Sequence, residues 1–217
     1  MPPKKDVAAK KAAGVRKHRK IIRDSIQGIT KGGLRRLMIT AAHNSGVSSI
    51  SAKAPKGSKK KSIRMTTHCY DELRSLCKSI IEGLAKNTAV AVESAGRKTV
   101  LKKDIAFAAE SLGKKYYFPQ DDLPTVRNVD DLKKELKKDG FFCLPKASLT
   151  RFLHEVFQDV SPVDGLRYSK GAILWARFYV ENEMIKILSR AITNMVNVSS
   201  RTTLEPKDII NARNTIC

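Results

Sequence analysis

The stretch RKTVLKKDIAFA, residues 97–108, returns later in the chain as RTTLEPKDIINA, residues 201–212. The two segments share an arginine, a threonine two residues on, a Lys-Asp-Ile triplet and a final alanine. Self-similarity at a fixed offset indicates a repeated structural unit, and a unit that cannot bury its own apolar face needs a neighbouring copy. The chain of 217 residues is therefore predicted to hold two units of roughly a hundred residues each, paired within one polypeptide.

The register of the repeat extends upstream into two long helical patterns. Apolar residues spaced by three and four predict helices over about residues 66–94 and 169–197. An arginine stands just before each of them, Arg64 and Arg167, at an offset of 103 residues against 104 for the later motif. The stripe predicted to be buried on the second helix consists of Ile173, Ala176, Val180, Met184, Ile187, Ala191, Met195 and Val198.

Short helices are predicted on both sides of each long one. The first runs from the capping residue Thr30 to about residue 42, and its counterpart covers about residues 145–159. Thr99 and Thr203 are predicted to cap the short helices that follow the long ones. Strand signals are nearly absent, so the fold class is all-α.

The division of the chain follows from these elements and from composition. We predict a basic tail at 1–23, a first unit at 24–117 with an inserted basic loop at 44–63, a linker at 118–128, and a second unit at 129–217 with an extra helix at 129–138. The first short helices are 115 residues apart, which places a net insertion of 12 residues in the loop of the first unit.

Composition points to a polyanionic partner. The formal net charge is +21, of which residues 1–122 carry +17. Lysine and arginine gain most by neutralising phosphates and releasing counterions. The sequence contains no apolar run long enough to span a membrane and no leader-like start, so we expect no membrane partner.

The chemistry-bearing residues do not form a catalytic or metal-binding pattern. The four cysteines form no CxxC pair and the four histidines have no ligand spacing, so reduced thiols and no metal are expected. No nucleophile–base arrangement, pair of carboxylates in a pocket or phosphate-cradling glycine loop is evident. We therefore expect no enzyme activity, no cofactor and no small-molecule substrate.

The order short helix, loop, long helix, loop, short helix is that of the histone fold, and the residues carry a closer resemblance. Residues 14–37, GVRKHRKIIRDSIQGITKGGLRRL, and residues 97–117 resemble histone four. Residues 167–183, RYSKGAILWARFYVENE, and residues 201–213 resemble histone three. The two families form an obligate heterodimer, so the chain resembles the histone four–histone three doublets of giant DNA viruses of the Marseillevirus kind. The resemblance implies two histone folds paired as a handshake dimer.

The resemblance also implies a set of DNA contacts. Arg64 and Arg167 match the loop arginines that enter the minor groove in histone particles. The further positions that match DNA-contacting residues of the family are Arg35, Arg36, Lys98, Thr99, Arg151, Thr203 and Lys207, together with Arg16, Lys17, Arg19 and Lys20 in the tail. An arginine beside a helix N-terminus combines hydrogen-bond donors, charge and helix dipole against a phosphodiester.

Two further sets of residues have structural interpretations. Arg97 with Asp104, and Arg201 with Asp208, either face DNA or form ion pairs that pin each loop to the following helix, and we favour the ion pairs. The resemblance implies a self-association face in the second unit, made of Met195, Val198, Arg201, Asp208 and Asn211. There Val198 replaces the histidine of histone three, and Asn211 stands where an apolar residue is usual.

These observations favour a fused core histone that binds double-stranded DNA without sequence specificity and wraps it in nucleosome-like particles. The implied partners are DNA, a second copy of the chain, and a doublet or pair of the histone two-B and two-A type. The implied location is the chromatin of a DNA virus, in the virion, a cytoplasmic viral factory or the host nucleus. One alternative is a histone-fold module that binds other proteins, and another is a basic protein that coats DNA without closed particles. The retained arginines at 35, 36, 64 and 167 argue against the former.

Overall fold

The structure, a computed structural model, describes residues 25–46, 63–114, 142–161 and 165–216. Its helices are α1 Lys31–Asn44, α2 Thr67–Ser94, α3 Lys102–Ser111, α4 Lys146–Val160, α5 Lys170–Asn197 and α6 Pro206–Ile216. A 3-10 helix at Ser25–Gly28 precedes α1, and short strands lie at β1 Arg64–Met65, β2 Thr99–Val100, β3 Arg167–Tyr168 and β4 Thr203–Leu204. Each half thus runs short helix, long helix, short helix, and the long helices are both 28 residues in length. The predicted helical fold class is confirmed.

Local hydrogen bonds account for where the helices begin and end. The Oγ1 atom of Thr30 accepts a hydrogen bond from the amide of Gly33 at 3.2 Å, which confirms Thr30 as the N-cap of α1. Ser169 caps α5 in the same way, accepting from an amide at 3.1 Å. Gly96 ends α2 with a φ of +61°, a left-handed conformation that glycine adopts at little cost.

Two predicted caps are wrong. Thr99 lies in β2 and Thr203 lies in β4, in both cases ahead of the helix that it was expected to cap. The start of α3 is held instead by Asp104, whose carboxylate accepts the amide of Leu101 at 2.8 Å, and Asp208 does the same for α6. The threonines are drawn away from the helices because their backbones pair with strands of the other half.

The strands join the two halves crosswise. Strand β1 pairs in parallel with β4, and β2 pairs in parallel with β3. The loop before the long helix of one half therefore lies beside the loop after the long helix of the other. The same pairing occurs twice with the halves exchanged, so the two halves contact each other reciprocally.

The helices exchange partners in the same way. Helix α1 packs on α5 of the other half, and α4 packs on α2, while α2 and α5 cross each other. A side-chain hydrogen bond from the hydroxyl of Ser189 to the carbonyl of Ala41, at 3.0 Å, ties α5 to α1. Buried apolar residues of both halves form one continuous cluster. Neither half has a separate core, because the first short helix of each half covers the apolar face of the other half's long helix.

Two residues of the predicted second stripe are not buried: Ile173 is half-buried and Val198 is exposed. Val198 follows the end of α5 and is 81% exposed, whereas Met195 at the preceding turn is fully buried. The stripe ends at Met195 because the helix ends two residues later, at Asn197, and Ser200 then takes a positive φ of 50°. Val198 is thus an exposed apolar residue at the tip of the second half.

Several predicted segments lie outside the described residues. They are the basic tail at 1–23, most of the inserted loop at 44–63, the linker at 118–128 and the extra helix at 129–138. The predicted unit boundaries that fall on these segments stay predictions.

Candidate nucleic-acid interface

At one end of the molecule the strand pairing brings Arg64 beside Thr203. The two residues are direct partners in the β1–β4 register. The amide of Arg64 donates to the carbonyl of Thr202 at 2.9 Å, so the backbone of the arginine is fixed by the other half. The side chain of Arg64 is exposed. Two residues that are 139 positions apart in the chain thus lie side by side at the surface, Arg64 exposed and Thr203 half-buried.

The other end repeats this arrangement with the halves exchanged. Arg167 is the register partner of Thr99, and its amide donates to the carbonyl of Lys98 at 2.8 Å. The side chains of Arg167 and Lys98 are exposed. A guanidinium, a hydroxyl, an ammonium group and the start of a long helix lie together here. Such a group of donors can bind an anionic oxygen.

A buried thiol supports the first of these clusters. The Sγ of Cys69, in the first turn of α2, donates to the carbonyl of Leu204 at 3.2 Å and lies 3.2 Å from the hydroxyl of Thr66. Burial raises the pKa of the Cys69 thiol above its usual value, so it remains a neutral donor. The equivalent position in the second half, 103 residues on, is Ala172. The two ends therefore share a plan but differ in how the loops are fastened.

The loop that ends with Thr99 is held by an ion pair. Arg97 donates to both oxygens of Asp104 at 3.1 and 2.7 Å and also to the carbonyl of Thr99 at 2.9 Å. Burial opposes ionisation of Asp104, but hydrogen bonds from the Arg97 guanidinium and the Leu101 amide outweigh it and lower the carboxyl pKa. The guanidinium of Arg97 points into this pair, which leaves Lys98 and Thr99 as the outward members of the loop.

The matching loop of the second half has a larger charge network. Arg201 lies 2.8 Å from Asp208 and 2.8 Å from Glu205. Glu205 also pairs with Lys207 at 2.8 Å. The Lys207 ammonium is exposed but has a carboxylate at hydrogen-bonding distance, so its charge is partly compensated. Among the positions marked by sequence, Lys207 is thus a weaker candidate than Lys98.

Between the two loop clusters lie the N-termini of α1 and α4. A Cβ on Gly33, in the first turn of α1, would meet the Pro145 ring and the Leu144 side chain at 3.3 Å. On Gly28 it would meet the Cβ of Ser148 at 3.1 Å. The absence of side chains at these glycines allows the two helix starts to approach each other. Two positive helix ends placed together favour an anion between them.

Basic side chains extend from these helix starts towards the loop clusters. The Lys31 ammonium lies 5.5 Å above the ring of Tyr70, and Arg35 Nε donates to the Tyr70 hydroxyl at 2.8 Å. Tyr70 is in the first turn of α2, six residues after Arg64. Arg35 thus links α1 to the start of α2, and Arg151 is exposed on α4.

Aromatic packing links α4 to the strand that carries Arg167. The His154 ring meets the Tyr168 ring edge-on at 4.3 Å between centroids, and Phe157 meets it at 5.6 Å. Burial lowers the pKa of His154 and raises the pKa of Tyr168 to about 12, so both rings are neutral near pH 7. An uncharged aromatic cluster therefore supports the backbone next to Arg167.

Arg36 is used differently from Arg35. Its Nε and one terminal nitrogen donate to the carbonyl of Cys143 at 3.1 and 3.0 Å. That carbonyl belongs to the segment that leads into α4 of the other half. Although the side chain is exposed, two of its donors are occupied within the chain.

Sequence reasoning missed a pair of buried charges behind this segment. Glu181, on α5, accepts the amides of Cys143 at 2.7 Å and Leu144 at 3.3 Å, and lies 3.8 Å from the Arg177 guanidinium. Burial raises the pKa of Glu181 to about 7, although the two amides and Arg177 work against the shift. The only sequence signal was a pair of charges four residues apart on an apolar helix, which also fits an exposed surface pair.

The predicted self-association residues divide into buried and exposed members. Met195 is buried, and Asp208 is buried in its ion pair with Arg201, so both support the surface from below rather than forming it. Val198 and Asn211 are exposed. The neighbouring Ile210 is also partly exposed, at 42%.

The tail residues Arg16, Lys17, Arg19 and Lys20 lie outside the described residues. Within the described ranges, the His, Cys, Asp and Glu side chains form no group of three that could hold a metal ion. None of the helices that the structure describes is both long enough and apolar enough to cross a membrane.

Comparison with known proteins identifies the fold. No protein-family profile matches the sequence. Among solved structures, the chain is similar to the histone from Methanopyrus kandleri, with a TM-score of 0.50 and 12% sequence identity over 85% of this chain and 92% of that one. Neither half alone makes up such a share, so the similarity spans both. At this identity the similarity shows the fold, and the chain therefore contains the histone fold.

Proposed function

We propose that this protein is an architectural DNA-binding protein, a fused core histone that packages double-stranded DNA. The observation that carries the proposal is the crosswise pairing of Arg64 with Thr203 and of Arg167 with Thr99. It creates two equivalent surface clusters of groups that can bind phosphate, at the two ends of one continuous core. The paired helix N-termini form a third cluster between them.

The proposed interface contacts the DNA backbone rather than base edges. Its members are arginine and lysine side chains, threonine hydroxyls and helix N-termini, which are the groups that contact phosphate and sugar. Contacts of this kind position a protein on the duplex without carrying sequence information. The net charge of +21 favours the same kind of partner. No catalytic role is proposed for any of these residues.

Binding to DNA of random sequence at several salt concentrations tests this proposal. The logarithm of the observed association constant should fall linearly with the logarithm of salt concentration, by about 0.9 per phosphate neutralised. Duplexes of unrelated sequence and equal length should give the same affinity. Affinity that is independent of salt, or confined to one sequence, would contradict the proposed function.

Wrapping into nucleosome-like particles needs partners, and two apolar surfaces support this part of the proposal. The tip of the second half presents Val198 and Ile210, and we assign it to a second copy of this chain. The first half exposes Phe107, 58% accessible, and Val90, 63% accessible. Phe107 occupies the position that Asn211 has in the second half. We assign this more apolar surface to a doublet or pair of the histone two-B and two-A type.

The source proposed for the chain follows from the resemblance of its two halves to histone four and histone three, joined in that order. We propose that it belongs to the chromatin of a giant DNA virus, in the virion, a cytoplasmic viral factory or the host nucleus. Mass spectrometry of purified virus particles tests the virion assignment directly. Its absence from particles and presence in infected cells would favour the factory or the nucleus.

A further inference from the structure

Arg74 and Arg177 occupy the same place in the two halves, although neither belongs to the sequence motif that revealed the repeat. They are 103 residues apart, the offset that also relates Arg64 to Arg167. Arg74 donates from two nitrogens to the carbonyl of Ile29 at 3.3 and 3.2 Å. Arg177 donates to the carbonyl of Leu144 at 3.1 Å.

Both carbonyls have the same position relative to a helix start. Ile29 immediately precedes Thr30, the N-cap of α1, and Leu144 immediately precedes Pro145, the N-cap of α4. A long-helix arginine in each half thus fastens the peptide group just ahead of the first short helix. Each contact is made within one half, and it joins the same two elements in both halves: the long helix and the segment ahead of the first short helix.

The acidic partners of the two arginines differ. Arg74 pairs at 2.8 Å with Asp71, which is largely exposed. Arg177 lies 3.8 Å from the buried Glu181, which also accepts two amides of the segment before α4. The Arg177 guanidinium additionally lies 4.1 Å from the centre of the Phe142 ring. The start of α4 is therefore held at its amides and its carbonyls, whereas the start of α1 is held at one carbonyl.

Neither arginine is placed to contact DNA itself. The side chain of Arg74 is 16% exposed and that of Arg177 is 6% exposed. Their hydrogen bonds are directed at main-chain carbonyls. Any effect on DNA must therefore pass through the helix starts that they hold.

The helix starts need to be held because they lie close together. The approach of Gly33 to Pro145 and of Gly28 to Ser148 places two positive helix ends side by side. Two such ends repel each other in the free protein and attract a shared anion. A free first-turn amide binds phosphate well only when its direction is set in advance.

We infer that Arg74 and Arg177 are positioning residues for the central DNA contact. Each holds the peptide group ahead of a helix N-cap, so that the first-turn amides of α1 and α4 face one stretch of phosphate backbone. This inference rests on the proposed function, because it assigns a role at the same DNA surface. It adds two residues that do not contact DNA but orient the helix starts that do.

Hydrogen exchange read by mass spectrometry tests the inference, with and without a random-sequence DNA duplex. In the wild-type chain, DNA should slow amide exchange at the starts of α1 and α4 and at both loop clusters. Arg74→Met keeps much of the side-chain volume but removes the donors. It should abolish the DNA-induced slowing at the start of α1, leave it at the Arg64 and Arg167 loops, and lower the salt slope by about 0.9 for each phosphate that is no longer neutralised.

Two further variants make the result specific. Arg74→Lys retains a positively charged donor, so it should restore part of the DNA-induced slowing at α1 that Arg74→Met removes. If Arg74 acted only by filling space, the lysine and methionine variants should behave alike. Lys78→Met, one turn further along α2 at an exposed residue, should leave exchange at α1 unchanged. If Arg74→Met destabilises the fold, Arg74→Lys still tests the inference through the extent of slowing at α1.

The outcomes separate the inference from the proposed function. If wild-type DNA slows exchange at the loops but not at the starts of α1 and α4, the inference is wrong and the proposed function stands. Unchanged slowing at α1 in Arg74→Met also overturns the inference. A wild-type chain that does not bind the duplex at all overturns the proposed function, and the inference with it.

Discussion

The structural roles of several residues in this chain are set by contacts with residues that are distant in the sequence. Thr99 and Thr203 carry the side chains of good N-caps, yet the other half draws both of them into strands. Arg177 and Glu181 look like an exposed helical pair, yet both are buried against the segment before α4. Residue roles that depend on sequence neighbours, such as the capping by Thr30, could be predicted, whereas those that depend on residues distant in the chain could not.

Ser200 has a backbone conformation that a glycine would hold more easily. Its φ of 50° is at the place where α5 ends, as Gly96 with a φ of +61° is at the end of α2. Left-handed residues other than glycine cost roughly 1 kcal/mol. Ser200→Gly should therefore raise the free energy of unfolding by about 0.5–1 kcal/mol, measured by urea denaturation.

Gly96→Ala is the matched opposite change and should lower the free energy of unfolding by about 1 kcal/mol. Steric crowding does not contribute at Gly96, because an added Cβ would meet no atom within 4 Å. A stabilising Gly96→Ala, or a destabilising Ser200→Gly, would show that backbone strain is not the controlling factor at these helix ends.

Glu181 should make stability depend on pH in the neutral range. Burial raises its pKa in the folded chain to about 7, although the positive charges of Arg177 and Arg36 oppose the shift. The pKa of a glutamate in the unfolded chain is about 4.3. A raised pKa contributes stability that is complete below the unfolded value and is lost as the pH rises through the folded value. The wild-type chain should therefore lose stability between about pH 4 and pH 7 relative to Glu181→Gln, which does not titrate.

Urea denaturation of both proteins at a series of pH values measures this difference. The glutamine keeps a carbonyl that can accept one of the two amides from the segment before α4. A difference in unfolding free energy that stays constant from about pH 4 to pH 7 would mean that Glu181 keeps an ordinary pKa in the folded chain.

Helices with a strong apolar periodicity were predicted well. Strands that form only by pairing with the other half were not predicted. The observed helices Thr67–Ser94 and Lys170–Asn197 agree closely with the apolar spacing. The four strands are two residues long and carry no alternating pattern of their own. They form because the loop before the long helix of one half meets the loop after the long helix of the other half. Only the repeat in the sequence suggested that the two halves come together.

The β1–β4 and β2–β3 elements allow DNA binding to be separated from folding. The arginines of β1 and β3 pair through their backbones, while their side chains are exposed. The double change Arg64→Ala with Arg167→Ala should leave helicity and the melting temperature nearly unchanged. It should lower the slope of log affinity against log salt by about 0.9 for each phosphate that the variant no longer neutralises.

Circular dichroism and DNA titration on the same samples test this separation. Exposed Lys86→Ala on α2, away from both loops, is a suitable control and should change the salt slope less than the double variant does. A collapse of helicity in the double variant would instead make these arginines structural.

In the whole molecule, the two halves of one chain share a single core. Each half's first short helix covers the other half's long helix, and the buried residues form one cluster. The duplication in the sequence predicted this pairing, and the similarity to a solved histone extends over both halves. The surfaces left exposed at the two tips are different: the first half presents Phe107 where the second half presents Asn211.

Self-association should depend on the tip of the second half. Val198→Glu places a charge on a residue that is 81% exposed, so it should shift the chain from dimer to monomer without a loss of helicity. Val90→Glu, at a comparably exposed valine of the first half, should leave the dimer intact. Sedimentation velocity measures both. Equal effects of the two changes would mean that the second half is not the contact surface.

Wrapping of DNA by this chain, as proposed, can be measured by nuclease digestion. The chain is mixed with long DNA and a histone two-B–two-A doublet, and the complex is digested with micrococcal nuclease. Closed particles protect a fixed length of duplex, so we expect discrete DNA fragments. A continuous smear of fragment lengths would contradict this expectation and indicate a protein that coats DNA without wrapping it.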